Sequence, residues 1–465
     1  MPPMRSLCWL ALVLMAAGPC FAAGGHDPRD YGAKADGRTR ATAAIQKAID
    51  ACAAEGGGTV RFAPGIYLSG TLRLKSHVTL ELEAGCTLRG SSDPADYPDN
   101  LPKIRSYTDT YVRQSLIVGE GLEQVAIRGR GTIDGQGAKF HWPEYCNRPY
   151  LIRLVDCRDV LVEDVHLRNS AMWMQHYLAC RQVRLRGVTV WNHASYNNDG
   201  LDIDGCRDVT VSDCMFDSDD DALCLKSTLP LLCENVTVSN CILRSHCNAL
   251  KAGTESVGGF KNITVTNCAI SSPRGSQAIY GARQGLGGIA LEIVDGGRME
   301  NVAISNVTID GVRAPLFLRL GDRGRPHQPD LPRPPVGTLR NVVLSNIVAT
   351  RAATIGCAIA GIPGHRIENV TLSNVRLEFA GGAALEDVAR PLSEKPDAYP
   401  ESSMFGPLPA FGLYCRHVKG LTLQNVQLTA LRPDPRPPIA TEDTADVKID
   451  GKALGPEAIG AKTSR

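Results

Sequence analysis

The chain has 465 residues, 43% hydrophobic, 21% charged and only 5% aromatic, with a formal net charge of +1. A charge so near zero supplies no field to gather nucleic acid or an anionic membrane, and neither partner is expected. Frequent glycine, 46 residues, with scarce aromatics favours many short strands joined by tight bends over long amphipathic helices.

Residues 1–23 read as a secretory signal peptide. Arg5 precedes an apolar run from Leu7 to Gly18 that is too short to span a bilayer, and Ala22 and Ala23 supply a cleavage site. Pro19 stands where a lipoprotein signal would have a small residue before Cys20, so a soluble, exported protein is expected, in the periplasm or the medium. Export permits disulfides among the cysteines that follow. Their spacing is tied to a repeat, however, which predicts small apolar side chains stacked in a core and few disulfides.

Residues 24–465 read as one domain. From Ala41 to Ala54 helix formers place Ala44, Ile45, Ala48 and Ile49 on one side, and Gly56 to Gly58 end the segment, which predicts a helix capping the first coil. The segments VRFAPGIYLSG and VTLELEAGCTLRGS read as the first coils. From residue 157 a phrase recurs: CRDVLVEDVHL, CRQVRLRGVTV, CRDVTVSDCMF, CENVTVSNCIL and FKNITVTNCAI, starting at 157, 180, 206, 233 and 260, with later copies at 299, 339, 367 and 418 and a degenerate one near Asp446 and Val447. Apolar residues alternate with polar ones inside each copy, the period of a strand with one buried face. A period of this length means a solenoid, and without the Leu-x-x-Leu-x-Leu signature or intervening helices a leucine-rich horseshoe is set aside. The fold class expected is all-β, a right-handed parallel β-helix with an N-terminal capping helix.

Asp164, Asp213, Asn240, Asn267, Asn306, Asn346, Asn374 and Asn425 fall at one position of the repeat. These side chains tolerate the left-handed backbone of a sharp bend, so the column marks a corner of every coil. Cys157, Cys180, Cys206 and Cys233 form one further column, and Cys214, Cys241 and Cys268 another.

The densest acidic region is NNDGLDIDG followed by DSDDDALCLKS. Asp199 precedes Asp220 and Asp221 by about one coil, so the three carboxylates are expected to meet across adjacent rungs. Crowded like charges raise at least one pKa, which is how a carboxyl is kept ready as a general acid. Hydrolysis of a glycosidic bond needs such an acid and a second carboxylate to activate water or to attack the sugar. Solvated corner residues or a calcium site are the competing reading of the same spacing. Asp202, Asp204, Asp217 and Asp219 are read as turn or supporting residues.

With these motifs in hand, the chain resembles glycoside hydrolase family 28, the polygalacturonases and rhamnogalacturonan hydrolases. The resemblance covers nearly all of residues 24–465: DYGAKADGRTRATAAIQKAID with GGGTVRFAPGIYLSG is similar to the family's start, GRGTIDGQG to its next recurrent segment, NNDGLDIDGC to its Asn-Thr-Asp-Gly block, and DDALCLKS to its Asp-Asp block ending in Lys-Ser. It implies Asp220 as general acid, Asp199 and Asp221 as holders of the attacking water, inversion at the anomeric carbon, and a pectin-type polysaccharide or oligosaccharide as substrate. Two segments depart from the family. Cys247, Asn248 and Ala249 stand at its Gly-His-Gly, with His246 displaced, and Ala290, Leu291 and Glu292 stand at its Arg-Ile-Lys. A rhamnogalacturonan or another modified pectin is therefore the alternative substrate.

Candidate substrate-binding residues are Asn197, His176, His246, Asn248, Lys251, Glu292 and Arg319, with Lys226 in a segment expected to line the cleft and Arg323, beside Arg319, on an inserted loop able to reach an acidic sugar. Trp173 is open between a sugar platform and a core residue. No cofactor and no resident metal are expected, and a monomer is. Other classes on the same solenoid are a calcium-dependent polysaccharide lyase and a non-catalytic carbohydrate-binding β-helix.

Overall fold

The computed structural model describes residues 25–140, 148–389 and 391–453, so the signal-peptide reading lies outside the described residues. What the repeats build is a right-handed parallel β-helix whose strands join in one continuous sheet, each strand hydrogen-bonded to its counterpart in the next coil. Helix α1, Thr42–Ala54, covers the first coil. It buries Ile45, Ala48, Ile49 and Cys52, and Thr42 Oγ1 and Gln46 tie it to the backbone of Gly70 and Arg73. The predicted first coils are the strands Gly58–Phe62, Gly65–Ser69, Val78–Leu82 and Cys86–Gly90.

The phrase C-x-N-V-x-V-x-N-C is one strand between two corners. Its valines point inward, as Val209, Val236 and Ile263 pair rung on rung and Val211, Val238 and Val265 repeat the contact. Every member of the predicted asparagine and aspartate column has positive φ, from Asn425 at 50° to Asp164 at 59°. Its amides bridge coils, with Asn346 donating to Asn306 at 3.0 Å and Asn425 to Asn374 at 3.0 Å. A second such column, at the residue before the anchor valine, was not foreseen. Asn235, Asn262, Asn301, Asn341 and Asn369 also have positive φ and donate to one another at 3.0 to 3.3 Å. The two ladders cap both ends of one strand layer, where side-chain amides continue the coil-to-coil bonding that the bent backbone interrupts.

All thirteen described cysteines are buried and free of disulfides. Their thiols act as small hydrophobes with a weak donor, as where Cys206 Sγ donates to the Tyr177 carbonyl at 3.1 Å and Cys241 Sγ to that of Ser239 at 3.2 Å.

A different strand layer carries the site. Its strands Leu223–Ser227, Asn248–Ser256 and Gly287–Ile293 are buried at every residue. Inward-facing Leu223, Leu225, Leu250 and Leu291 belong to the core. The alternate residues form an outward column, His176, Asp202, Cys224, Lys251, Ala290 and Phe317, paired in register from coil to coil. Long connections at 91–114, 272–286, 321–337 and 382–412 cover this face. Among the described residues no helix is long and apolar enough to cross a membrane.

Candidate active site

Asp199 and the Asp220–Asp221 pair precede neighbouring strands of this layer, Asp202–Asp204 and Leu223–Ser227. Gly200 N–H donates to the Asp221 carbonyl at 2.9 Å, which places the two segments on adjacent rungs. A Cβ on Gly200 would stand 2.5 Å from the Ala222 carbonyl oxygen, so only glycine permits this approach. The three carboxylates then line one cavity of about 400 Å³.

Asp220 is gripped through its backbone. Its N–H donates to Asn198 Oδ1 at 3.2 Å, and its carbonyl accepts from Ser218 Oγ at 2.8 Å and Ser245 Oγ at 2.6 Å. Carboxyl Oδ1 accepts the Asp221 N–H at 2.9 Å. Burial, reinforced by the charges of Asp199 and Asp221, holds the Asp220 carboxyl well above the usual range, so it keeps its proton.

Asp221 Oδ1 accepts both the backbone N–H of Asn248, at 3.1 Å, and its side-chain amide, at 3.0 Å, while Oδ2 lies 3.0 Å from Lys251 Nζ. Asp199 Oδ2 lies 3.4 Å from Lys226 Nζ, and Oδ1 has no hydrogen-bond partner among the described residues. Burial raises Asp199 to about 6, against the opposing pull of Lys226. Asp202, buried beneath it and 3.3 Å from the same ammonium, is pushed well above the carboxylate range by burial and by Asp199. Lys226 also reaches Glu255 at 3.5 Å and lies 4.4 Å from the centroid of the Trp173 ring. Trp173 is thus both a wall of the cavity and a cation-holding face.

Asp199 and Asp221 offer oxygens within 4.8 Å of each other, together with Cys224 Sγ. The span fits one water molecule held between two carboxylates at ordinary hydrogen-bond length. As a cation site the set is poor, because Lys226 and Lys251 already compensate both carboxylates and the Cys224 thiol, kept protonated by burial, donates to the Gly253 carbonyl at 3.1 Å.

Of the predicted binding residues, Asn197 and Lys251 line the cavity. Asn197 has a left-handed backbone, φ 50°, and its side-chain oxygen accepts from Arg148 at 3.1 Å. The others lie off the cavity lining. His176 is fully buried and bonded to Asp204 at 3.1 Å, with burial lowering its pKa. His246 is likewise buried, 2.9 Å from Asp219. Asn248 serves Asp221. Glu292, 1% exposed, has its carboxyl driven well above the usual range by burial. Arg319 donates to the carbonyls of Gly361, Glu394 and Lys395 at 2.8 to 3.0 Å, supporting a loop rather than facing the cavity.

Tyr107, Tyr111, Glu255, Tyr280, Arg325 and Tyr399 also line the cavity and were not singled out from the sequence. They sit in insertions or at strand ends where the repeat register is lost. Asp219 explains one placement: it accepts the N–H groups of Ile279 and Tyr280, each at 2.7 Å, and so pins the 272–286 loop over the site.

On this parallel β-helix a proton-bearing carboxyl thus stands beside two lysine-paired carboxylates, in a polar cavity rimmed by aromatic rings. The chain belongs to the glycosyl hydrolases family 28, whose model matches residues 62–391. A second model, rhamnogalacturonase A/epimerase, pectate lyase-like, matches residues 28–87. A probable polygalacturonase of Vitis vinifera is 34% identical over 212 residues, covering 43% of this chain and 43% of that protein. An exo-poly-alpha-D-galacturonosidase of Dickeya chrysanthemi is 30% identical over 246 residues, covering 42% of this chain and 40% of that protein. The matched stretch thus spans less than half the length of either relative. Among solved structures, the family 28 exopolygalacturonase of Yersinia enterocolitica superposes with a TM-score of 0.72 at 22% identity, covering 92% of this chain and 79% of that one, a likeness of fold.

Proposed function

We propose that the chain hydrolyses glycosidic bonds in pectin-type, galacturonate-containing polysaccharide, with inversion and from a chain end. The observation that carries this reading is the division of labour in the aspartate trio. Asp220 gives its proton to the leaving oxygen, and with Oδ1 occupied by the Asp221 N–H the proton resides on Oδ2. Asp199 and Asp221 hold the water and take its proton as the new bond forms on the opposite face of the sugar. Lys226 and Lys251, 3.4 Å and 3.0 Å away, aim these two carboxylates.

Attack from a chain end is supported by the insertions that wall the cavity. Tyr280 comes from one, Arg323 and Arg325 from a second, Tyr399 from a third and Tyr107 from a fourth. Arg325 lies 3.9 Å from the Tyr107 ring centroid and Arg323 5.8 Å from that of Tyr399, so the loops close on one another around a pocket. Export follows from the leader read at residues 1–23.

Incubation with polygalacturonate and defined galacturonate oligosaccharides, with and without chelator, tests the reading. Expected are new reducing ends, no unsaturated product, no chelator effect, monosaccharide as first product, and an inverted anomer by proton NMR. Unsaturated product, or no turnover on a broad pectic panel, overturns it. A rhamnogalacturonan is the second reading, favoured by Ala290 and Glu292 at the two family positions that would otherwise be basic, and the same assay on rhamnogalacturonan oligomers decides between them.

A further inference from the structure

Resting on the proposed action on pectin, a question remains about what recognises a sugar carboxylate when positions 290 and 292 carry no base. Four cations line the cavity: Lys226, Lys251, Arg323 and Arg325. Three are spent. Lys226 serves three carboxylates, Lys251 serves Asp221 and Tyr399, and Arg323 is paired through two nitrogens with Asp295 and donates twice more to Thr254.

Arg325 differs. Among the described residues its side chain makes one hydrogen bond, from Nη2 to Glu255 Oε1 at 2.8 Å, and it keeps 35% of its side-chain surface exposed. Its guanidinium lies over the Tyr107 ring at 3.9 Å. The Tyr107 hydroxyl donates to the same Glu255 oxygen at 3.1 Å, so one buried carboxylate orients both the cation and the ring beneath it. The backbone is fixed as well, because Arg325 N–H donates at 3.0 Å to Asp295, the buried carboxylate that also anchors Arg323. The result is a planar fork held at one nitrogen and on one face, with its remaining N–H groups unengaged.

We infer that Arg325, seated on Tyr107 and Glu255, is the receptor for the carboxylate of a uronic acid held in the cavity, and that it replaces the basic residues missing at Ala290 and Glu292. A guanidinium meets a carboxylate through two parallel hydrogen bonds, which a lysine cannot reproduce, and stacking with pre-orientation reduces the ordering lost on binding. Arg325 is linked to the reacting centre through Glu255 and Lys226, which touches Asp199, and all four line the same cavity.

The test compares galacturonic acid with galactose by calorimetry, and trigalacturonate with its methyl ester by kcat/KM, in the wild type, Arg325→Gln, Arg325→Lys and Tyr107→Leu. The wild type is expected to prefer the acid by about 30-fold or more in both measurements. Arg325→Gln should lose most of that ratio, chiefly through KM, with Arg325→Lys and Tyr107→Leu intermediate. A ratio that survives Arg325→Gln, or a wild type that does not discriminate, overturns the receptor. Should Arg325→Gln fail to fold, an undiminished ratio in Tyr107→Leu and Arg325→Lys overturns it equally. A wild type that prefers galacturonic acid in binding yet cleaves no pectic substrate overturns the proposed activity and leaves the receptor standing.

Discussion

The ammonium of Lys226 lies 3.4 Å from Asp199 Oδ2, and with both groups buried this contact opposes the rise that burial imposes on the Asp199 carboxyl. Asp202, 3.3 Å from the same ammonium, competes for it and retains a proton. The site therefore holds one ionised and one protonated aspartate a few residues apart, distinguished by position around a single lysine.

This arrangement fixes the acid limb of the pH profile. Protonation of Asp199 removes the base, so kcat/KM should fall as pH drops through about 6, the value to which burial raises Asp199. Loss of the Asp220 proton should close the profile on the alkaline side, above the ordinary carboxylate range. Because Lys226 lowers the Asp199 value, Lys226→Met should move the acid limb upward. An unmoved limb in that variant would count against Asp199 as base.

Asp220→Asn keeps the shape of the side chain and its contact to the Asp221 N–H, and removes only the transferable proton. Turnover should fall by about 10³-fold while the fold is retained, with a melting temperature no lower than that of the wild type. Residual activity above about a tenth of wild type would assign the acid elsewhere.

Glu292 ties stability to pH. Its folded-state pKa is raised by burial, so the folded chain binds more protons there than the unfolded chain does. Its stabilising contribution is complete below the unfolded value and is lost as pH rises toward the folded one. Glu292→Gln should therefore gain melting temperature relative to wild type between pH 5 and pH 8, by thermal unfolding followed at both; a constant difference would place the charge elsewhere.

The 272–286 loop gives a separable effect on binding. Asp219→Ala frees the Ile279 and Tyr280 N–H groups from their anchor and should raise KM by about tenfold, because the two hydrogen bonds that pin the loop are lost and Tyr280 drifts from the cavity. The acid limb should stay in place. A fall in kcat with unchanged KM would contradict this role.

Asn306 tests the ladder. Its amide donates to Asn267 and accepts from Asn346, and its φ is 55°. Asn306→Ala should cost about 1 to 2 kcal/mol in denaturant unfolding, from lost amide bonds and the left-handed backbone, and Asn306→Gly should recover the conformational part. Equal losses in both variants would leave the hydrogen bonds as the whole effect.

The repeat carried most of the fold. A strand period of two, an asparagine at each corner and a spacing of one coil are local properties, written into Val209, Asn240 and Asn267 themselves, and they bring Asp199 beside Asp220 and Asp221 with no knowledge of the rest of the chain. The same locality hid the cavity walls. Tyr107, Tyr280, Arg325 and Tyr399 lie in connections without a repeat, so nothing in their spacing says which way they fold back. Burial was equally invisible: His176 and Arg319 have the chemistry of binding residues, yet hydrogen bonds to Asp204 and to loop carbonyls turn them to supporting tasks. The sequence by itself determined the solenoid and the aspartate trio, because periodic short-range preferences suffice for both. Only the tertiary structure decided which carboxyl keeps its proton and which arginine is held by a single carboxylate with part of its surface open to the cavity, because desolvation and pairing depend on the charges that distant loops bring together.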